Sequence, residues 1–250
     1  MEWTKREMDW YYKALKYNYY PQNVIDFIRP LIKDKKSVID VGSGIGTFAM
    51  NLVNDFEKII AVDQSKEMID YFKNIIKNNN NKANFKFKIG DWNNIDFEND
   101  FPIGALITAY SGEEVIGNKK SINKMTNLIN GYIFLFVPTN REKHSFYSDV
   151  LYERLGKMKR NRSYIAEDVK RILDKMNINY KCKKFNYNFG QIFSDFDDAV
   201  DFFKFHYDLE QSEIKVLEGF LHDYLKRRDD YLWIDNYKES TMFYWKNSVR

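Results

Sequence analysis

A single cysteine, Cys182, stands among 250 residues, so the chain builds no internal disulfide and no cysteine-based metal site. Long hydrophobic runs are also missing. The longest, residues 104–109 and 132–137, fall far short of the roughly 20 apolar residues that a membrane helix needs. The first residues are charged and aromatic and lack the apolar stretch of a secretory signal, so the cytosol is the expected location. Charge of one sign is absent too: 39 Lys and Arg face 36 Asp and Glu, a net charge of +3. That near-neutral total gives no case for a nucleic-acid or membrane partner. No internal repeat is visible, and only residues 78–81 are low in complexity, as a loop after a helix. Aromatic residues are abundant at 17%, with 18 Tyr and 20 Phe, a surplus of the kind AT-rich codons produce. Hydrophobic content of 44% and charged content of 30% are globular values. The length suits one α/β domain with additions.

The most informative segment is Val38-Ile39-Asp40-Val41-Gly42-Ser43-Gly44-Ile45-Gly46. A β-branched run carrying an acid turns through glycines at alternate positions toward a helix. Glycine there permits positive φ and close approach of a ligand. A carboxylate or phosphate can then lie against the amides of the following helix N-terminus. Spacing separates the candidate ligands. A dinucleotide loop needs G-x-G-x-x-G/A, but Thr47 stands where the third small residue belongs, and the glycine falls one residue early. No Lys-Ser or Lys-Thr pair follows, which excludes a phosphate-cradling P-loop.

A second apolar run, Ile59-Ile60-Ala61-Val62, ends in Asp63. An Asp beside a glycine loop can accept from both ribose hydroxyls of an adenosine, or it can cap the helix that follows. Residues 85–89 alternate apolar and charged side chains, as a strand does, and run into Gly90-Asp91-Trp92.

The remaining chain is read from periodicity. Thr4-x-x-Glu7 is a capping box, and Met8, Tyr11, Tyr12 and Leu15 at helical spacing predict a helix over 4–17. Val24, Ile25, Ile28 and Leu31 predict another over 24–32. Strand, glycine loop and helix follow over 37–55, then strand 59–63, helix 66–77 and strand 85–89. Continuous apolar strands at 103–109 and 132–137 flank a helix near 119–129. Such strands alternating with helices predict an α/β, doubly wound parallel sheet covered on both faces. Further on, helices are expected at 145–157 and 165–176, a sixth strand at 181–189, helices at 195–206 and 212–228, and a last strand at 240–246.

The G-x-G-x-G loop, Asp63 and Gly90-Asp91-Trp92, in this order and spacing, resemble the class I (Rossmann-like) S-adenosylmethionine-dependent methyltransferases of small-molecule type. The resemblance covers roughly residues 35–250. It implies a seven-stranded, mostly parallel sheet whose last strand is antiparallel and inserted beside the sixth. It also implies an N-terminal helical lid over 1–34, and a cofactor-binding domain over 35–250 with helical substrate insertions near 139–177 and 194–236. The implied cofactor is S-adenosyl-L-methionine. Asp40 resembles the family acid near the methionyl amine, with a loop-bracing carboxylate as the alternative. Gly42, Ser43, Gly44 and Gly46 form the loop, and Gln64 and Met68 wall the adenosine. Asp63 takes the ribose. Gly90, Asp91 and Trp92 look like the adenine-reading element, Asp91 accepting from the exocyclic amine and Trp92 packing on the ring; a turn with a core Trp is the alternative. Thr108, at the end of the fourth strand, completes the cofactor set.

Displacement of a methyl group from a sulfonium needs alignment and exclusion of water above all, and a base only if the acceptor must lose a proton. Tyr110 and Ser111 follow the carboxyl end of strand four, where doubly wound folds bind ligands. Tyr110 is therefore a candidate catalytic residue, either bonding the acceptor or closing the cofactor pocket. His144 is the candidate base. The Asn/Asp-Pro-Pro-Tyr element of the resembling amino-methylating nucleic-acid enzymes is absent, which disfavours adenine N6, cytosine N4 and glutamine-amide acceptors. Substrate contacts are expected from Tyr11 and Tyr12 in the lid, from Ser111, and from Arg141, Tyr147, Arg160 and Arg162 in the insertion. Arginines among aromatics can clamp a carboxylate or phosphate, although residues 157–162 read first as a solvated basic loop. The expected activity is S-adenosylmethionine-dependent methyl transfer to a small molecule, an anionic one being allowed, with no metal. An RNA-modifying methyltransferase and a non-catalytic S-adenosylmethionine-binding subunit or sensor are the alternatives.

Overall fold

The structure, a computed structural model, describes residues 3–77, 84–100, 102–140, 145–157, 165–228 and 230–247. Its centre is a seven-stranded sheet built from β1 (Ser37–Val41), β2 (Lys58–Asp63), β3 (Asn84–Ile89), β4 (Ile103–Ala109), β5 (Ile129–Pro138), β6 (Lys181–Asn188) and β10 (Tyr237–Lys246). The order is β3-β2-β1-β4-β5-β10-β6. The first five strands run parallel, and β10 pairs antiparallel with both β5 and β6. The expected topology is therefore present, including the inverted last strand beside the sixth.

Alternation along the strands explains the two covering layers. On one face, Val38, Ile59, Ala61, Ala105 and Ile107 pack with Val24, Ile25 and Ile28 of α2 (Gln22–Ile32) and Phe72 of α3 (Lys66–Lys77). On the other, Ile39, Val41, Ile60, Val62 and Leu106 pack with Val115 and Ile116 of α4 (Glu113–Ile116), Ile122 and Met125 of α5 (Lys119–Leu128), and Val169 and Leu173 of α7 (Ala166–Lys175). Burying each such large apolar side chain contributes on the order of 1.5–3 kcal/mol.

A third core lies outside the sheet. It joins Leu151 of α6 (Ser148–Arg154), Phe193 of β7 (Gln191–Phe193), Phe202 and Phe203 of α8 (Phe196–His206), Leu217 and Phe220 of α9 (Ile214–Tyr224), and Ile234 of β9 (Tyr231–Ile234). Trp10 of α1 (Lys5–Tyr17) is buried in it. The capping box of α1 forms as expected, with Glu7 N donating to Thr4 Oγ1 and Thr4 N to Glu7 Oε2. The Trp10 indole donates to Asp198 Oδ1 of α8 at 2.8 Å, and Gln191 Nε2 donates to the Trp10 carbonyl at 3.1 Å. The two N-terminal helices thus serve different cores: α2 covers the sheet, while α1 is tied to the insertion after β6.

Two expected elements differ. The helix after the glycine loop is only a 3₁₀ turn at Ala49–Leu52. The Asn51 side chain donates to Thr47 O at 2.8 Å, the carbonyl that its own amide would use in an α-helix, and that amide donates instead to Phe48 O at 3.0 Å. The helix expected over 212–228 ends at Tyr224, and Lys226–Arg228 forms β8, paired antiparallel with β9. Lys226 reaches the nearly buried Asp235, and the Arg228 guanidinium lies 4.9 Å from the Trp233 ring centroid, so the basic run is held on β9. The small sheet β7-β9-β8 completes the insertion.

Candidate active site

The carboxyl ends of β1, β2, β3 and β4 converge on one cleft of about 1050 Å³. The glycine loop forms its floor. Gly42 sits at φ +68°, and a Cβ there would meet Ser111 Oγ at 2.5 Å, so glycine lets the loop pass close to the segment that follows β4. At Gly46, φ is +88° and a Cβ would lie 2.4 Å from the Phe72 ring. This glycine seats the loop against α3 and does not line the cleft.

The loop amides do not all face a ligand as expected. Gly42 N and Ser43 N donate to Val62 O at 2.8 and 3.0 Å, Gly46 N donates to Ser43 O at 2.8 Å, and Gly44 N donates to Asp63 Oδ2 at 2.8 Å. Used within the fold, these four amides are not a cradle for a pyrophosphate. Ser43 Oγ, in contrast, is buried without a hydrogen-bond partner, a donor waiting for an acceptor.

Among the described residues five acids line the cleft, and three of them stand at or just past the ends of β1, β2 and β3. Asp40 is 3% exposed, and Oδ2 accepts from Ala49 N at 3.1 Å. Burial pushes its carboxyl up to about 7, against the lowering by the Ala49 bond, with Asp63 adding repulsion. Asp63 braces the loop through Gly44 and accepts from Ser65 N with Oδ1 at 2.9 Å, an Asx turn that opens α3. Asp91 accepts from Asn93 N at 2.9 Å and from Asn94 Nδ2 at 2.9 Å. Gln64, Met68 and Gly90 line the same wall. Trp92 lines it too, yet only 3% of its surface is exposed and its ring packs against Phe97 with Lys124 Nζ 4.7 Å from its centroid, the arrangement of a core Trp. Thr108 lies beneath the wall, buried and hydrogen-bonded to Ser111 Oγ.

The opposite half is tyrosine-rich. Tyr110 takes φ +55° at the end of β4, a conformation that costs a non-glycine residue about 1–3 kcal/mol. Its phenol reaches across the sheet to Ser240 Oγ of β10 and Tyr187 Oη of β6. Tyr11 of α1 shares a hydrogen bond of 3.1 Å with Thr47 Oγ1. Burial pushes the Tyr11 phenol up to about 12 despite that bond, and raises Tyr110 and Tyr187, so all three are neutral at physiological pH. Tyr20, Phe189, His206 and Lys238 complete this half.

Of the expected substrate residues, Tyr11, Tyr110 and Ser111 meet in the cleft. Tyr12 does not; it packs on Tyr71 with Lys16 Nζ 4.2 Å from its ring centroid. Tyr147 packs against Tyr224 in the third core, 4.7 Å between centroids with the rings tilted by 33°, away from the cleft. Arg141, His144, Arg160 and Arg162 lie outside the described residues. Sequence reasoning missed Thr47, Tyr187, Phe189, His206 and Lys238. The alternation of Phe185, Tyr187 and Phe189, along β6 and just past its end, was the one available sign. Among the described residues no cluster of His, Cys, Asp or Glu has the makings of a metal site, and no helix is long and apolar enough to cross a membrane.

Sheet order, inverted last strand and acid-ringed glycine loop together define the class I S-adenosylmethionine-dependent methyltransferase fold. The chain belongs to the methyltransferase-domain family, whose sequence profile matches residues 32–186, and it is a methyltransferase. No curated protein matches it. Among solved structures it is similar to a Bacillus halodurans protein assigned as a methyltransferase, at 14% identity and a TM-score of 0.56, covering 90% of this chain and 97% of the other. It is similar to the YcgJ protein of Bacillus subtilis at 12% identity and a TM-score of 0.56, covering 91% and 100%. A Haemonchus contortus phosphoethanolamine N-methyltransferase, in complex with phosphomonomethylethanolamine and S-adenosylhomocysteine, aligns at 15% identity and a TM-score of 0.52 over 92% of this chain and 53% of its own.

Proposed function

We propose that the protein transfers a methyl group from S-adenosylmethionine to a small-molecule acceptor by direct displacement. The observation that carries the reading is the placement of Asp40, Asp63 and Asp91 at the ends of three neighbouring strands around one cleft. S-adenosylmethionine supplies a methyl group on a sulfonium, a leaving group good enough that alignment and dryness supply most of the acceleration.

The residues fit that group. Asp40, poorly hydrated in the floor, gains a counter-ion from an ammonium. The unpartnered Ser43 hydroxyl is placed to donate to the carboxylate beside it. Asp63 retains lone pairs for ribose hydroxyls while holding the loop, and Asp91 is positioned to accept from the adenine amine. A dinucleotide fits poorly, because a pyrophosphate would meet the Asp40 carboxylate and loop amides already bonded to Val62 and Asp63. Tyr110 and Ser111 stand at the junction of the two halves, where the acceptor must approach. Tyr110 is held by two neighbouring hydroxyls and kept neutral, so it orients the acceptor by hydrogen bonding and is not a base.

Calorimetric titration tests the cofactor assignment. S-adenosylmethionine and S-adenosylhomocysteine should bind and NAD should not; the reverse result ends the reading. Methyl incorporation into a metabolite panel, compared with single-stranded RNA, then tests the acceptor class, and methylation of the RNA alone would move the assignment to nucleic acid.

A further inference from the structure

Three hydroxyls of the tyrosine-rich half touch one another. Tyr110 Oη is hydrogen-bonded to both Tyr187 Oη and Ser240 Oγ, and Tyr187 Oη lies 3.2 Å from Ser240 Oγ. Three contacts among three hydroxyls use all three hydrogens, each oxygen donating to the next, and leave every oxygen a lone pair. Tyr110 and Tyr187 line the cleft, so what they offer a ligand is a lone pair and not a hydrogen. Ser111, the next residue after Tyr110, is occupied in the same way. Its hydroxyl donates to Val41 O at 3.1 Å, so the contact with Thr108 Oγ1 at 2.5 Å is filled by the threonine hydrogen.

The surroundings are aromatic. Tyr11 and Phe189 have centroids 5.5 Å apart and tilted by 58°, and Tyr110 keeps 44% of its surface exposed. Faces and edges of this kind take a flat ring in offset or T-shaped contact. Among the described residues that line the cleft, every carboxylate stands on the side of the glycine loop: Asp40, Asp63, Glu67, Asp91 and Glu114. On the tyrosine side Lys238 is engaged within the chain, and His206 stacks on Phe202 at 5.3 Å between centroids and is neutral through burial. The accepting atom therefore meets two requirements, a lone pair for the methyl carbon and a hydrogen for Tyr110 or Tyr187. A carboxylate or carbonyl has no hydrogen to give, and an ammonium has no lone pair. A neutral hydroxyl or amino group has both.

We propose that the methyl acceptor is a neutral aromatic ring bearing a hydroxyl or amino group, oriented by the hydrogen bond this group donates to Tyr110 or Tyr187. This rests on the methyltransferase reading and deepens it. The group's lone pair forms the new bond to the methyl carbon while the carbon–sulfur pair returns to sulfur, leaving a thioether, and its hydrogen departs as a proton to solvent water. The test uses the full chain saturated with S-adenosylhomocysteine and titrated, by NMR, with phenol, aniline, benzaldehyde, benzoate and benzylamine. Phenol and aniline should each bind at least about tenfold more tightly than the other three, the size expected of one well-made hydrogen bond. Ser240→Ala and Tyr187→Phe each leave two hydroxyls with one bond between them and one hydrogen over. Benzaldehyde should then gain, and the preference over it should fall to about threefold or less, while the affinity for S-adenosylhomocysteine stays within about twofold. Protein that binds S-adenosylhomocysteine but takes benzaldehyde, benzoate or benzylamine as tightly as phenol or aniline, binds no ring probe, or keeps its tenfold preference in both variants overturns this inference and leaves the methyltransferase reading standing. Failure to bind S-adenosylhomocysteine removes that reading and this inference with it.

Discussion

Replacing Asp40 by Asn separates what this carboxylate does for the ligand from what it costs the fold. Asp40 is 3% exposed and its carboxyl titrates at about 7, chiefly because burial disfavours the charge. In the unfolded chain it titrates near the ordinary value of 3.8. A carboxyl raised on folding stabilises the native state fully below its unfolded value, and that stabilisation is lost as pH rises through about 7. At about 1.4 kcal/mol per pH unit, the ceiling is ~4 kcal/mol. Urea denaturation of the ligand-free protein at pH 8 should therefore find Asp40→Asn more stable than the parent, with the advantage shrinking toward pH 5.

Ligand binding should show the opposite dependence. The ammonium of S-adenosylhomocysteine pairs with the ionised carboxylate, whose population rises ~25-fold between pH 5.5 and 7.5. Affinity of the parent should rise by about that factor and then level off. The Asn variant should show a flat profile and, at pH 7.5, an affinity lower by roughly 1.5–3 kcal/mol, the worth of a charged hydrogen bond. Calorimetry in buffers of different ionisation enthalpy would count the proton released below pH 7. A parent affinity independent of pH, or an Asn variant that keeps the slope, would refute the pairing.

Asp63→Asn should weaken S-adenosylhomocysteine binding by on the order of 1.5–3 kcal/mol, and amide exchange at Gly44 should accelerate in the same variant, because the side chain braces the loop as well; unchanged affinity would leave it a brace only. Gly46→Ala should cost more than about 3 kcal/mol in thermal or urea unfolding, since the new Cβ lies 2.4 Å from the Phe72 ring at φ +88°. Trp10→Ala should cost about 3–5 kcal/mol by opening the third core and freeing Asp198, so removing residues 1–20 is expected to unsettle the insertion and not merely to uncover the cleft. A variant as stable as the parent would show that α1 rests on the surface.

The glycine-loop half of the cleft was legible because its constraints are local. Gly42, Gly46, Asp40 and Asp63 act through backbone constraints and strand ends, and those leave fixed spacings in the sequence. The tyrosine-rich half is assembled from α1, β6, α8 and β10, and nothing in the sequence near Tyr187, His206 or Lys238 shows that they line one cleft. The small sheet escaped for a related reason. Three residues at Gln191–Phe193 are too few to show alternation, and Lys226-Arg227-Arg228 offers no apolar face, being held by Asp235 and Trp233 instead. The short turn at Ala49–Leu52 was misread as a helix because Asn51 competes for a carbonyl, a choice that no periodicity records.

The position of β10 orders events at the ribosome. Because this strand fills the gap between β5 and β6, β5 lacks its second partner and β6 is unpaired until Tyr237–Lys246 has been synthesised and has left the exit tunnel. Until then β5 and β6 each present an open edge rich in Phe and Tyr, the kind of surface that recruits other chains. The glycine loop and its acids can assemble on β1–β4 well before that moment. Ser240, which steadies Tyr110, arrives only with the final strand. A nascent or shortened chain ending before residue 237 should therefore hold the cofactor weakly, leave Tyr110 unanchored and aggregate through the sheet's exposed middle.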